Sequence, residues 1–345
     1  MKRIALMSSK ERGEIFTEAG ARLGFSPFHV EKDFWVCWTL GALFGDEAAG
    51  PNLAFRGGTS LSKGWQCIER FSEDIDLAMS RDWVGGGEAV DLRMVSASRS
   101  HKEKLFKQLR DQCRTSISDV ILPLLMRDLA EIVEEAKDRV RVEPLEAARD
   151  PFVVSLKYPE SSLKSPNDYF QAEVKIDLSG RAEGVPVEDR EIVSYVHAVF
   201  PQLAASPPSC IPCVRPDRTF WEKAALLHEQ NARPTQEQPA NRQSRHLYDL
   251  HQLWTAGGLS AVISAVDPMF RTVMEHRSSF FPYGQVNHLE LEAWDLKLRP
   301  PPETLATWKA DFEKMGSMFF GDPPSFEQVL ATISEIQESL RRNAE

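Results

Sequence analysis

Asp74-Ile75-Asp76 sets two carboxylates one residue apart, shortly after the stretch Gly57-Gly58-Thr59-Ser60. On a strand, alternate residues share a face, so both acids point one way while Ile75 and Leu77 point toward a core. Two anions held at that spacing repel each other unless a cation stands between them. Mg²⁺ binds a few carboxylates and keeps places for substrate phosphates. A DxD by itself is common on exposed strands, so its weight depends on what lies beside it. A strand ending at Gly57-Gly58, with Thr59-Ser60 opening a helix, offers unpaired backbone N–H groups to an anion. The glycines admit a phosphate close to the backbone, and the hydroxyls add donors. This is not a Walker A loop, since GxxxxGK[ST] is absent. Alone it would read as a turn with a helix cap. A helix spanning Thr59 to Arg70 has the length to return the chain beside the glycines. Asp177, in "EVKIDL", repeats the local pattern of Ile75-Asp76-Leu77. Three carboxylates can hold two metal ions, one activating an attacking oxygen and one holding a triphosphate. That chemistry suits in-line nucleotidyl transfer with pyrophosphate leaving.

The elements that must position these groups follow from periodicity. Residues 8–45 read as helices, with Val30, Phe34, Trp38 and Ala42 at helical spacing and Ser26-Pro27 as a helix start. Asn52–Arg56 is a short strand, Thr59–Arg70 a helix, Ser72–Met79 a strand, and Arg81–Val90 a glycine-containing loop. Residues 100–140 form a long helical insertion whose apolar stripe runs through Leu105, Leu109, Cys113, Ile117, Ile121, Leu124 and Leu125. Pro123 should kink or break it. Phe152–Lys157 and Tyr169–Leu178 read as strands joined by a polar loop. A proline-rich connection near 201–217 leads into two amphipathic helices, "RTFWEKAALLHEQ" and "RHLYDLHQLW", on either side of a polar loop at 231–244. The last helix opens with a capping box, Ser325 and Gln328, and buries Val329, Ile333, Ile336 and Leu340. The expected organisation is an N-terminal α/β lobe over 1–200 and a mainly helical lobe over 201–345.

The chain has 345 residues and a net charge of −10, which argues against nucleic-acid binding by the whole surface. One stretch differs. Arg93, Arg99, Lys102, Lys104, Lys107, Arg110 and Arg114 face only Glu103 and Asp111, which describes either a solvated helix face or a nucleic-acid track. No apolar run approaches a membrane span or a signal peptide, and a cytoplasmic location with no membrane partner is expected. Five scattered cysteines fit a reducing compartment. Cys210-Ile211-Pro212-Cys213 lacks the second ligand pair of a zinc site and lies in what reads as coil, so no metal or redox role is assigned to it.

The block "FRGGTSLSK…RFSEDIDL", with the upstream "VEKDFWV", resembles the AbiEii/AbiGii family of toxin nucleotidyltransferases, which includes the MenT toxins. The resemblance extends over roughly residues 28 to 330. It implies an α+β fold: a polymerase-β-type nucleotidyltransferase mixed sheet flanked by helices, with an added C-terminal helical domain. On this pattern Gly57, Gly58, Thr59, Ser60, Lys63 and Arg70 contact the nucleotide. Asp74, Asp76 and Asp177 hold Mg²⁺ or Mn²⁺. Lys223 neutralises β/γ-phosphate charge, and Asp249, in the motif begun by Arg245, positions the nucleotide or a loop around it. Read without the resemblance, Lys223 is a solvated lysine and Arg245–Asp249 an i,i+4 ion pair. Lys63 and Arg70 could equally pair with Glu69 and Glu73. Lys32 and Asp33 match a family motif that sequence reasoning alone does not account for.

The function so implied is NTP-dependent transfer to an RNA acceptor such as the 3′ end of tRNA, by the toxin of an abortive-infection toxin–antitoxin pair with a cognate antitoxin as partner. The same site chemistry would serve an enzyme that modifies a protein or small molecule, as in AMP transfer. A catalytically silent partner-binding module is a third reading, disfavoured because all three carboxylates are present.

Overall fold

The computed structural model describes residues 1–85, 98–134, 136–142, 151–163, 171–204, 207–233, 242–264 and 266–342. They fall into two compact units. The first takes in 1–64, 71–85 and the described part of 98–214. The second takes in 65–70 and the described part of 215–342.

The first unit is built on a mixed seven-stranded sheet in the order β3-β4-β5-β2-β1-β7-β6. Its strands are β1 (Leu53–Arg56), β2 (Ile75–Met79), β3 (Val140–Val142), β4 (Phe152–Lys157), β5 (Glu173–Ser179), β6 (Val187–Ile192) and β7 (Ser209–Val214). β1 runs antiparallel to β2 and parallel to β7, and β2 runs parallel to β5. The helices are α1 (Lys2–Ala5), α2 (Ser9–Leu23), α3 (Pro27–Gly45), α4 (Gly57–Lys63), α5 (Arg81–Val84), α6 (Arg99–Ser116), α7 (Leu122–Ala130) and α8 (Tyr195–Val199). Proline at the first turn starts α3, as its fixed φ favours. This helix packs on β5 and β7 and is buried nearly all round, Glu31, Lys32 and Asp33 included, so its charged groups need partners.

The second unit holds α9 (Pro216–Asn231), α10 (Ser244–Trp254), α11 (Pro268–Phe280), α12 (Leu305–Glu313) and α13 (Phe326–Arg342). α10 packs on α9 and α13, and α11 packs on α9. Phe220, Trp221, Leu247, Leu253, Phe270 and Ile333 form its core. The Ser325–Gln328 capping box is present, each side chain bonding the other's backbone N–H.

Several expectations need correction. The helix after the glycines begins at Gly57 and stops at Lys63, well before Arg70. Gln66 has a φ of 53°, a left-handed conformation that no helix continues through. Residues 201–217 are not simply connection: β7 lies between β1 and β6 in the sheet, so Cys210 and Cys213 sit on a strand rather than in coil. β6 also went unread. Both strands are short and carry proline or charge where an apolar alternation would announce them. Of the kink or break expected at Pro123, a break does not occur: a π-helical turn at Ile117–Ile121 joins α6 to α7, and Pro123 falls in the first turn of α7. Residues 81–84, read as loop, form the short α5. Residues 86–90 of that loop, Arg93 of the basic stretch, and parts of the polar loops at 159–168 and 231–244 lie outside the described residues.

Candidate active site

β1 delivers the chain to Gly57, whose φ of 76° suits glycine and strains any other residue. Space imposes the same choice, since a Cβ at Gly57 would overlap the Asp76 carboxylate. The turn into α4 and the first acid of β2 are therefore in direct juxtaposition. Thr59 and Ser60 are fully enclosed, however. Thr59 Oγ1 donates to the Asp74 carbonyl at 2.5 Å and lies 2.8 Å from Ser72 Oγ. Ser60 stands against Cys213, whose thiol burial pushes up to about 11 while the Ser60 hydroxyl opposes the shift. The Thr59 hydroxyl, expected to meet phosphate, thus ties α4 to the segment entering β2, whereas the buried Ser60 hydroxyl has no hydrogen-bond partner among the described residues.

Asp76 on β2 and Asp177 on β5 are register partners, flanked by the pairs Ile75–Ile176 and Leu77–Leu178. All four flanking side chains are buried, and alternation places the two aspartates on the opposite face. Neighbouring strands lie about 4.8 Å apart, so these carboxylates are held side by side. Asp74 is the residue just before β2. All three acids are half-buried. Across β1, Arg56 is the register partner of Asp76. Sequence reasoning passed over Arg56, although its position directly before the glycines was a usable signal. Among the described residues, no three carboxylate, imidazole or thiol groups form a ready-made metal cage. A registered carboxylate pair does fit Mg²⁺ chemistry, in which one or two protein carboxylates are completed by water and substrate phosphates.

Lys63 was expected to meet phosphate or Glu69 and Glu73; it instead pairs with Asp33. Its Nζ lies 2.6 Å from Asp33 Oδ1 and 3.9 Å from the centroid of the Tyr195 ring. Tyr195 N–H donates to the other Asp33 oxygen at 2.7 Å. Burial works against the Lys63 charge, but Asp33 overcomes it and holds the ammonium above its ordinary pKa. Next along α3, Lys32 reaches Glu73 at 3.4 Å and the Gln171 carbonyl at 3.3 Å. The Lys32-Asp33 motif thereby braces both α4 and the segment entering β2 against α3. The sequence offered no account of it because both partners are remote in the chain.

In the second unit, Arg70 grips Asp249 with two bonds, Nε to Oδ1 at 2.7 Å and Nη2 to Oδ2 at 2.8 Å. Lys223 Nζ stands 2.8 Å from Asp249 Oδ2. Burial alone would raise the Asp249 pKa, yet Arg70 and Lys223 hold it far below the usual carboxylate range. Lys223 is lowered by burial and by the nearby Arg70, with Asp249 opposing. It is a buried lysine, not a solvated one. Asp249 takes Arg70, rather than Arg245 one turn away, as its guanidinium partner. Arg70 is stitched into this unit by a β-bridge to Phe319 and by the bond from Phe320 N–H to the Glu69 carbonyl.

A family model described as "Nucleotidyl transferase AbiEii toxin, Type IV TA system" matches residues 38–332. Among solved structures, the chain is similar to MenT4, a nucleotidyltransferase toxin from Mycobacterium tuberculosis H37Rv. The match has 15% identity and a TM-score of 0.43, and covers 95% of this chain and 98% of that one. A search of curated proteins returns no match.

Proposed function

Because the chain belongs to the AbiEii nucleotidyl transferase toxin family of type IV toxin–antitoxin systems, we propose that it moves a nucleoside monophosphate from an NTP to an RNA acceptor such as the 3′ end of tRNA. The observation that carries the proposal is the register pair Asp76–Asp177 beside the Gly57 turn. Asp76 and Asp177, with Asp74, would hold Mg²⁺ or Mn²⁺, which when bound supplies Lewis-acid stabilisation of the triphosphate charge. Without side chains, Gly57-Gly58 would let a phosphate approach the backbone on the side that the Asp76 carboxylate does not fill. In the reaction, an acceptor hydroxyl oxygen attacks the α-phosphorus in line. The bond to the β-phosphate oxygen breaks, and pyrophosphate leaves. The hydroxyl proton passes to a carboxylate oxygen of Asp177. Lys223 and Asp249 enter only through the family resemblance, as a lysine that offsets phosphate charge and the carboxylate that holds it.

A type IV system pairs its toxin with an antitoxin, so a cognate antitoxin is the expected protein partner. No helix among the described residues is long and apolar enough to cross a membrane. The test is incubation with Mg²⁺, unfractionated tRNA and each α-labelled NTP in turn, beside Asp76→Ala. Label on RNA from one preferred nucleotide, absent in the variant, is the expected result. Label on a protein instead of RNA would replace the acceptor while leaving the transfer chemistry intact. Full labelling of RNA by Asp76→Ala would remove the proposed metal site.

A further inference from the structure

The α6 helix carries a groove of about 340 Å³ whose walls include Phe106, Lys107, Arg110 and Arg181, with Glu103 as its acidic residue. The floor is formed by Leu109 and Cys113, both buried. Lys107, Arg110 and Arg114 fall on one helical face at i, i+3 and i+7, and Lys107 and Arg114 are exposed. Arg181 comes from the turn after β5 and lays its guanidinium over the Phe106 ring, 4.9 Å from the centroid. In a chain of net charge −10, the described residues lining this groove supply three cations and one carboxylate, a local excess of positive charge.

The groove is also anchored to the carboxylate strand. A Cβ at Gly180 would stand 2.6 Å from Cys113 Sγ and 3.1 Å from Leu109 Cδ1, so only glycine lets α6 approach this turn so closely. Gly180 follows Asp177 by three residues, which span at most about 10 Å of extended chain. The turn against which α6 packs therefore lies within about 10 Å of Asp177 along the chain, in the same unit.

We propose that this groove docks the RNA acceptor, with Lys107 and Arg110 on backbone phosphates and the Arg181 guanidinium, seated over the Phe106 ring, as a platform for an unpaired base. The inference rests on the RNA reading of the acceptor. Cationic contacts release counterions and make binding salt-dependent, whereas a planar guanidinium stacks on a base in a way that an ammonium does not.

The test uses the full chain and 5′-fluorescein-labelled unfractionated tRNA, titrated over a range of KCl concentrations. Lys107→Gln/Arg110→Gln should weaken binding at least tenfold near 0.1 M KCl and make the slope of log K against log[KCl] shallower by about 1.4, two single-strand phosphate contacts. Arg181→Lys should weaken binding several-fold with the slope unchanged, since it keeps the charge and loses the plane. Lys10→Gln, an exposed lysine on α2, serves as control and should match wild type. Thermal melting confirms that each variant is folded. If wild type binds RNA and the groove variants keep its affinity and slope, the groove proposal fails while the RNA reading stands. If wild type binds no RNA and labels a protein in the transfer assay, the RNA reading fails and the groove proposal with it.

Discussion

Asp33 and Lys63 meet at 2.6 Å with both side chains buried, joining α3 to the short helix that follows the Gly57 turn. Tyr195 N–H occupies the second Asp33 oxygen, so the carboxylate is satisfied on both sides. Removing one member of such a pair strands the other charge in a desolvated place. Asp33→Asn should cost about 3–5 kcal/mol in urea denaturation. The double variant Asp33→Asn/Lys63→Met should recover a large part of that loss, because it removes the stranded ammonium. A single-variant cost below about 1 kcal/mol would show that the pair is not a brace.

The Asp76–Asp177 pair makes the opposite demand on stability. Two carboxylates side by side oppose each other in metal-free buffer. Asp177→Asn should leave the melting temperature unchanged or raised in chelator, while lowering the transfer rate by roughly 100- to 1000-fold. Added Mg²⁺ should stabilise wild type and not the variant, as linkage requires of a ligand that binds only the folded state. A variant that melts well below wild type in chelator would mean that Asp177 is structural.

Gly57 is constrained twice, by its φ of 76° and by the Asp76 carboxylate. Gly57→Ala should cost at least about 1–2 kcal/mol from backbone conformation alone and displace Asp76 as well. Transfer activity should therefore fall further than stability accounts for. Gly45→Ala, where a new Cβ meets nothing within 4 Å, is the matched control and should stay near neutral. Equal activity in the two variants would rule out the juxtaposition as functionally relevant.

His228 supplies a pH dependence in the second unit. Burial pulls its pKa down to about 4, with Lys297 as a lesser contributor, and its Nδ1 accepts a hydrogen bond from Lys297 N–H at 3.0 Å. The folded state holds this imidazole neutral, while the unfolded chain protonates it near 6.5. Its contribution is complete above pH 6.5 and is lost as pH falls toward 4. His228→Asn keeps an acceptor without titrating in this range. The variant should show a shallower loss of urea midpoint between pH 7 and 5. A slope identical to wild type would assign the acid sensitivity to other groups, such as His197, also lowered to about 4 chiefly by burial.

Much of the fold was legible where the signal is local. The α13 stripe of Val329, Ile333, Ile336 and Leu340 repeats at helical spacing, and all four are buried. Strand β4 is found at the residues its composition indicates. β6 and β7 were missed for an equally local reason: "VEDREI" carries too much charge and "SCIPCV" too little alternation to resemble a strand. Each forms because its neighbour does, with β6 pairing along the length of β7. The site divides similarly. Asp76 and Asp177 were placed side by side from a repeated tripeptide, since matching patterns on adjacent strands fall into matching register. The Thr59 hydroxyl meets the Asp74 carbonyl, because whether a hydroxyl faces a ligand or a carbonyl depends on what the sheet brings against it.

The residue order by itself determined the helical periodicities, the glycine at a position that needs left-handed backbone, and the acids of β2 and β5 that share one face. These depend on neighbours within a few residues, where backbone geometry alone decides orientation. The tertiary structure decided the ion partners: Asp33 for Lys63, Glu73 for Lys32, and Asp249 for Arg70 and Lys223. A buried charge is stable only beside its complement, and in each of these pairs the complement lies well outside the residue's own helix or strand. No local pattern could name it.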